Sequence, residues 1–304
     1  MDLSIVIPAF NESESLPKLW EELKEVCTPW SYEVIVVDDG STDGTFKWVQ
    51  SMNEQEPNLH GIRLRRNCGK AAALSEGFKR VKGRYVITMD GDLQDNPIEI
   101  PAFVDKLDAG ADMVSGWKKK RFDSLGKTLP SKFFNWVTRK VSGLDLNDFN
   151  CGFKGYRKEV VESVTLYGEM HRYIPVLAHW NGFRVEEHVV HHRPREFGHS
   201  KYGLSRLFHG LFDLITLVFL HKYTTRPLHM FGLFGLGFGF LGASLLCYFA
   251  GVWLYTGSLH VRPLLVGGMV SILLGVQIIS MGLLGEMIVQ RSIPEYPVGE
   301  DTTP

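Results

Sequence analysis

The 304-residue chain is short of the features that mark disulfide-stapled, zinc-held or nucleic-acid-binding proteins. Its four cysteines, Cys27, Cys68, Cys151 and Cys247, are scattered and form no CxxC pair. That gives no support to a disulfide framework or a zinc site, and fits a reduced, cytosolic setting. His188, His191 and His192 do not make up the lack, because their spacing suits an alternating strand and no cysteine joins them. Positive charge is not in excess, with 33 Lys and Arg against 34 Asp and Glu, so no global basic field draws the chain to nucleic acid. No basic n-region precedes Leu3-Ser4-Ile5-Val6-Ile7, which reads directly as a strand, and no signal peptide is expected. No GxGxxG follows that strand, which removes a dinucleotide-binding reading. Gly69-Lys70 looks like the end of a P-loop, but the earlier glycine would fall at Leu64, and Ala71 stands where Ser or Thr is needed. Pro8-Ala9-Phe10-Asn11-Glu12 is not the Gly-rich loop that a nucleotidyltransferase making sugar nucleotides requires. Finally, formal charge is almost missing from 229 to 290, where only Arg262 and Glu286 occur.

What is present is an alternation. Leu3–Ile7 is a short β-branched run stopped by Pro8. Asn11 is placed to cap the next helix, with Glu14 three residues on as in a capping box, and Leu16, Leu19, Leu23 and Val26 give that helix one apolar face. Glu33–Asp38 is apolar through its centre, as a strand covered on both faces would be. It ends in Asp38-Asp39-Gly40-Ser41-Thr42-Asp43-Gly44, a turn that leads into a helix with Phe46, Val49 and Met52. His60–Arg65 is a weaker strand, Lys70–Val81 an alanine-rich helix, Arg84–Asp90 a strand, Ile98–Ala109 a helix and Asp112–Ser115 a strand. Strand-helix alternation of this kind gives an α/β fold with a mostly parallel sheet and right-handed crossovers. Two strands then end in acidic clusters, Asp38-Asp39 and Asp90/Asp92, on the same edge of the sheet. The carboxyl edge of such a sheet is where ligands bind.

The stretch Val86-Ile87-Thr88-Met89-Asp90-Gly91-Asp92-Leu93-Gln94-Asp95 organises the rest. A buried strand that runs into carboxylates and an amide can hold a hard divalent cation, which takes oxygen ligands and keeps substrate phosphate in its shell. Asp90, Asp92 and Gln94 are therefore the candidate metal ligands.

Val6-Ile7-Pro8-Ala9-Phe10-Asn11-Glu12, Val37-Asp38-Asp39-Gly40-Ser41-Thr42-Asp43-Gly44-Thr45 and Asp90-Gly91-Asp92-Leu93-Gln94-Asp95-Asn96-Pro97 together resemble glycosyltransferase family 2. Asn150-Cys151-Gly152-Phe153-Lys154 and Arg195-Glu196-Phe197-Gly198-His199-Ser200-Lys201-Tyr202 narrow the resemblance to its polyprenyl-phosphate branch, that of dolichol-phosphate mannose synthase and bactoprenol-phosphate glucosyltransferase. It covers essentially the whole chain. It implies a GT-A (Rossmann-like) catalytic domain and inverting transfer of one sugar from a UDP- or GDP-sugar to a polyprenyl phosphate, with Mg²⁺ or Mn²⁺. It also implies roles residue by residue. Pro8, Phe10 and Glu12 match the nucleotide-binding loop, and Val37 and Asp39 the base and ribose positions. Asp90, Gly91 and Asp92 match the ribose and diphosphate contact, with Asp92 and Gln94 as metal ligands. Lys118 stands where relatives often carry an arginine that touches phosphate, keeping charge but losing the bidentate fork. Arg195 and Lys201 match a basic pair closing over the diphosphate. Asp148 matches an acidic position on the acceptor side, where it would orient the nucleophile.

The chemistry is coherent without the family. A leaving diphosphate gathers negative charge that a cation stabilises. A lipid phosphate with a second pKa near 6 is already an anion near neutral pH, so a strong base matters less than a cationic seat. Candidates for that seat are the run Lys118-Lys119-Lys120-Arg121, Lys154 and Arg172. The bland readings are a solvated loop for the lysine run, a turn aspartate for Asp148 and a structural cluster for Glu169, His171 and Arg172.

Four regions are expected: a catalytic domain over 1–202, amphipathic interfacial helices over 203–227, a membrane region over 228–290 and a polar tail over 291–304. In the second, Leu204, Leu207, Phe208, Leu211 and Phe212 oppose Arg206, His209 and Asp213. In the third, Phe231–Tyr255 and Leu264–Val289 are each long enough to cross a bilayer, the first spanning about 37 Å. Gly235, Gly239, Gly242, Gly268 and Gly275 would let the two spans approach closely. Lys222 and Arg226 at the entry and Arg291 at the exit, against Arg262 alone in the turn, put both ends and the catalytic domain on the cytoplasmic side of a multi-pass membrane protein. Glu286 reads as an interfacial anchor near a helix end. Homo-oligomers are compatible with the glycine-rich hairpin. Transfer to another membrane acceptor (a diacylglycerol or a lipid-linked glycan) is the alternative enzyme reading, and a silent sugar-nucleotide-binding scaffold the non-enzymatic one. Two spans argue against a polymer exporter.

Overall fold

The structure, a computed structural model, describes residues 1–119, 125–191, 193, 216, 219, 227–257 and 263–291. It divides into two units, Met1–Leu214 and Ile215–Pro304. The expected interfacial helices and polar tail fall almost wholly outside the described residues.

In the first unit β1 (Leu3–Ala9), α1 (Leu16–Cys27), β2 (Tyr32–Asp38), α2 (Thr45–Asn53), β3 (Leu59–Arg63), α3 (Lys70–Phe78) and β4 (Tyr85–Thr88) follow the expected alternation. A single 3₁₀ turn, Pro97–Glu99, opens α4 (Ile100–Asp108), and β5 (Met113–Trp117) follows. Then come α5 (Leu125–Ser142), β6 (Lys154–Arg157), α6 (Lys158–Ser163), a second 3₁₀ turn at Met170–Arg172, α7 (Ile174–Trp180) and β7 (Val185–Val189). The seven strands lie in the order β3-β2-β1-β4-β6-β5-β7. Every pairing is parallel except those of β6, which runs antiparallel between β4 and β5.

The near-continuous apolar centres of β1 and β2 follow from cover on both faces. Alternate residues of β1 divide between them. Leu3, Ile5 and Ile7 join Leu19 and Leu23 of α1 and Phe103 and Leu107 of α4 in one buried cluster. Val6 turns the other way onto α3, so closely that a Cβ at Gly77 would lie 2.4 Å from its Cγ1.

Three local expectations need correction. Asn11 does not cap α1, which starts at Leu16 after Ser15. Asn11 instead takes a left-handed backbone (φ 57°), tolerable for Asn, and its Oδ1 accepts the Thr42 N–H at 2.9 Å, tying the first loop to the second. The alanine-rich helix ends at Phe78 rather than Val81, and β4 ends at Thr88, before Asp90.

In the second unit α8 (Pro227–Thr256) and α9 (Pro263–Arg291) form a hairpin. They contain stretches of 30 and 26 residues long and apolar enough to cross a membrane. Glycine makes the contact: a Cβ on Gly242 would lie 2.5 Å from the Gly268 carbonyl oxygen, and one on Gly275 2.6 Å from that of Gly235. Gly239 gives its backbone to this seam while its own Cβ direction is open. Glu286 accepts the Leu228 N–H at 3.3 Å, satisfying a donor in the first turn of α8.

Candidate active site

Three loops meet at the carboxyl edge of the parallel strands. The loop after β1 is fixed to the loop after β2 by Asn11 N–H on Ser41 Oγ and Glu12 N–H on Thr45 Oγ1, both 2.9 Å. Pro8 and Val37 are register partners across β1 and β2. Asp39 is buried and holds the loop before α3, accepting the Cys68 N–H at 2.7 Å and the Gly69 N–H at 2.9 Å. A carboxylate has about four lone-pair sites, so these bonds leave it capacity for a ligand. Gly91 packs among Ile7, Glu12 and Leu16, which puts Glu12 beside the loop after β4.

That loop carries Asp90, Asp92 and Gln94. Asp92 is 7% exposed and its Oδ1 accepts the Gln94 N–H at 3.2 Å. Leu93 between them has φ 62°. Asp90 is ion-paired with Lys70 at the start of α3. Burial alone would raise the Asp90 carboxyl, but the charges of Lys70 and Lys118 outweigh it and hold the group at about 2. Lys118 in turn is braced by Asp95, 2.9 Å away. Burial would lower the Lys118 ammonium, and Asp95 overrides that and raises it.

The antiparallel β6 brings in the other wall. The Thr88 hydroxyl donates to the Gly152 carbonyl at 2.9 Å, and a Cβ on Gly152 would fall 2.7 Å from Asp90 Oδ2 and 2.8 Å from Lys70 Nζ. Lys154 is 3% exposed, donates to the Cys151 carbonyl and makes no ion pair among the described residues. Burial, with Lys70 nearby, pulls it down to about 8. Arg172 is 9% exposed and donates to Glu169 Oε2 at 2.7 Å. His171 is buried, and its Nδ1 has no hydrogen-bond partner among the described residues. Burial and the charges of Lys70, Arg172 and Lys154 hold its imidazole far below its usual range, hence neutral.

The structure thus gathers Pro8, Glu12, Val37, Asp39, Asp90, Gly91, Asp92, Gln94, Lys118 and Lys154 at or beside one edge, with the charge of Arg172 acting on the neighbouring His171. Phe10 lies on the first loop, half-buried. Asp148 is buried, but its Oδ1 accepts the Asn150 N–H at 3.0 Å, the turn bond of the bland reading. Lys119 is exposed, its Nζ 5.5 Å from the centre of the Trp117 ring. Arg121, Arg195 and Lys201 lie outside the described residues. Sequence reasoning missed Lys70, and it placed His171 in a polar cluster with Glu169 and Arg172 whose reading was mainly structural. The signal for Lys70 was a basic residue opening a helix on the acidic edge.

The donor set suits a hard divalent ion. Its atoms are carboxylate and amide oxygens, and among the described residues no three His, Cys, Asp or Glu side chains form a ready-made metal cage. Two or three protein oxygens with the rest left to phosphate and water is how Mg²⁺ is usually held.

The family model described as "Glycosyl transferase family 2" matches residues 4–165. Dodecaprenyl-phosphate galacturonate synthase of Rhizobium johnstonii is 39% identical over 95% of this chain and 88% of its own. Undecaprenyl-phosphate 4-deoxy-4-formamido-L-arabinose transferase of Yersinia pestis is 36% identical over 94% and 88%. Among solved structures, glucosyl-3-phosphoglycerate synthase from Mycobacterium tuberculosis, in complex with Mn²⁺, UDP and phosphoglyceric acid, superposes with a TM-score of 0.56 at 17% identity, covering 72% of this chain and 78% of that one. That likeness establishes the shared fold. With a family match across more than half its length and relatives of this identity along nearly all of it, the chain belongs to glycosyl transferase family 2 and is a glycosyltransferase.

Proposed function

We propose that the protein transfers one sugar, with inversion, from a nucleotide diphosphate sugar to a polyprenyl phosphate at the cytoplasmic face of a membrane. The observation that carries this reading is the meeting, at one sheet edge, of an acidic loop suited to a cation-bound diphosphate with the buried Lys154 and Arg172. A lipid phosphate is an anion, and a buried lysine with no carboxylate ion pair among the described residues suits an anionic ligand. The two relatives reported above are named for dodecaprenyl- and undecaprenyl-phosphate products or acceptors.

In this reading Pro8, Phe10, Glu12, Val37 and Asp39 seat the nucleoside. Asp92 and Gln94, with Asp90, hold Mg²⁺ or Mn²⁺ on the diphosphate. The ion, when bound, neutralises the charge that develops on the leaving group. Lys70 keeps Asp90 ionised, and Lys118 steadies the same loop through Asp95. Arg195 and Lys201 add positive charge over the diphosphate. Arg172 and Lys154, with the exposed Lys119 and with Arg121, attract the acceptor phosphate, and Asp148 orients it. The domain limits at 202, 227 and 290 remain the working division, with α8 and α9 as the membrane hairpin that confines the enzyme to the surface where its acceptor resides.

The test is nucleoside diphosphate release by the full-length protein in detergent with Mn²⁺, across UDP- and GDP-sugars, with and without undecaprenyl phosphate. Release from one donor that depends on the lipid phosphate supports the proposal. Release that ignores the lipid, or follows a diacylglycerol instead, refutes the acceptor. Asp92→Asn should abolish turnover, and an active Asp92→Asn variant would remove the metal assignment.

A further inference from the structure

The loop Asp92–Asn96 holds its shape against its own backbone preference. Leu93 has φ 62° and is buried, and an L side chain persists in that region only where its surroundings over-determine it. Inside the loop, the Gln94 N–H bond to Asp92 Oδ1 is long, at 3.2 Å. Besides the Lys118–Asp95 pair at 2.9 Å, a second set of contacts reaches the loop from outside, from a residue almost a hundred positions away. Arg193 donates its backbone N–H to the Gln94 carbonyl at 3.0 Å and its Nη2 to Asn96 Oδ1 at 2.7 Å. Its Nη1 reaches Glu22 on α1, 2.8 and 3.0 Å from the two carboxylate oxygens. The helix it is tied to is anchored in the core by Leu19 and Leu23 beside Glu22, both fully buried. The segment that delivers Arg193 is fixed in its turn, because Glu99 receives His188 Nε2 at 3.2 Å and His191 Nδ1 at 3.0 Å.

We propose that Arg193 is a positioning residue that latches the Asp92–Asn96 loop to α1 and so keeps Gln94 beside Asp92 in the shape that receives the divalent ion. The proposal rests on the assignment of Asp92 and Gln94 as metal ligands. Two features separate it from a role in global stability. Arg193 and Glu22 are each about a third exposed, and an ion pair of that exposure adds little to the fold. The guanidinium also spans two acceptors on different elements, which a lysine ammonium cannot do in the same planar fork.

The experiment uses the full-length protein in detergent and the variants Arg193→Met, Arg193→Lys and Glu22→Gln. Amide hydrogen exchange without metal is followed on the peptides covering 90–99, and Mn²⁺ binding in the presence of UDP or GDP is measured by calorimetry. For Arg193→Met the expected results are faster exchange confined to 92–96 and Mn²⁺ affinity weakened about tenfold or more. The melting temperature should stay within about 2 °C of wild type. Arg193→Lys and Glu22→Gln should fall between. Unchanged exchange in the loop overturns the latch, and so does exchange that rises evenly over the whole catalytic unit together with a fall in melting temperature. If even the wild type binds no Mn²⁺ with either nucleotide, the metal assignment fails, while the exchange result still decides whether Arg193 holds the loop.

Discussion

Asp90 is the residue around which the charges of the site are balanced. Its pairing with Lys70 was not legible in the sequence, because twenty positions separate the two and periodicity does not report where side chains converge. Asp92 and Gln94 were legible, since the loop that holds them is continuous in the chain. Lys118, expected from sequence to touch phosphate, pairs with Asp95 of the acidic loop after β4. Replacing Lys70 with Met should lower kcat by about a hundredfold, the scale for losing a preorganised charge partner at a developing anion. Chromatography and far-UV circular dichroism should report an intact fold in that variant. A second prediction concerns His171. Its folded-state pKa lies below the unfolded value near 6.5, so below that pH the unfolded chain binds the extra proton. The associated stability is complete above about pH 6.5 and declines as the pH falls, by at most about 1.4 kcal/mol per unit. Thermal melts between pH 5 and 8 should show this slope, and His171→Asn should flatten it.

At the scale of elements, strands that follow one another in parallel were readable from apolar runs and the turns that end them. β6 was not, because Lys-Gly-Tyr-Arg has no strand signature; the segment is a strand because β4 and β5 each offer it an unpaired edge. The consequence for glycine is sharp. Gly152 touches the Asp90–Lys70 pair, so Gly152→Ala should reduce donor turnover by separating that pair, while Gly182→Ala, with open space around its Cβ, should test only backbone strain from φ 89°. Measured kcat/KM for the two variants distinguishes a packed site from a tolerant loop. In the hairpin, Gly242→Leu forces a side chain onto the Gly268 carbonyl and should destabilise the helix pair by about 1–3 kcal/mol, read from melting in detergent. The glycine positions in this hairpin were visible in sequence, whereas the bond from Leu228 to Glu286 was not, since it joins opposite ends of two helices.

The whole molecule combines a catalytic sheet with a hairpin whose lack of charge was already plain in the chain. Helices of 30 and 29 residues are about 45 Å long, more than a bilayer's hydrocarbon core of about 30 Å, so a helix of this length crossing a membrane would reach into the headgroup layers or tilt. Reporter fusions at the two termini should give the same sidedness, and a reporter inserted at 258–262 the opposite one. Equal sidedness at all three places would refute a membrane-crossing hairpin. The reversed β6 also bears on how the protein is made. Strands β4 and β5 follow one another along the chain but are never neighbours in the sheet, so on the ribosome the first half of the enzyme emerges with a gap at its centre. That gap closes only when residues 154–157 arrive, and a nascent chain paused before them leaves β4 and β5 without their shared partner beside a half-built site. Synthesis speed across the segment between β5 and β6 should therefore govern how much active enzyme a cell obtains, even where the finished protein is stable.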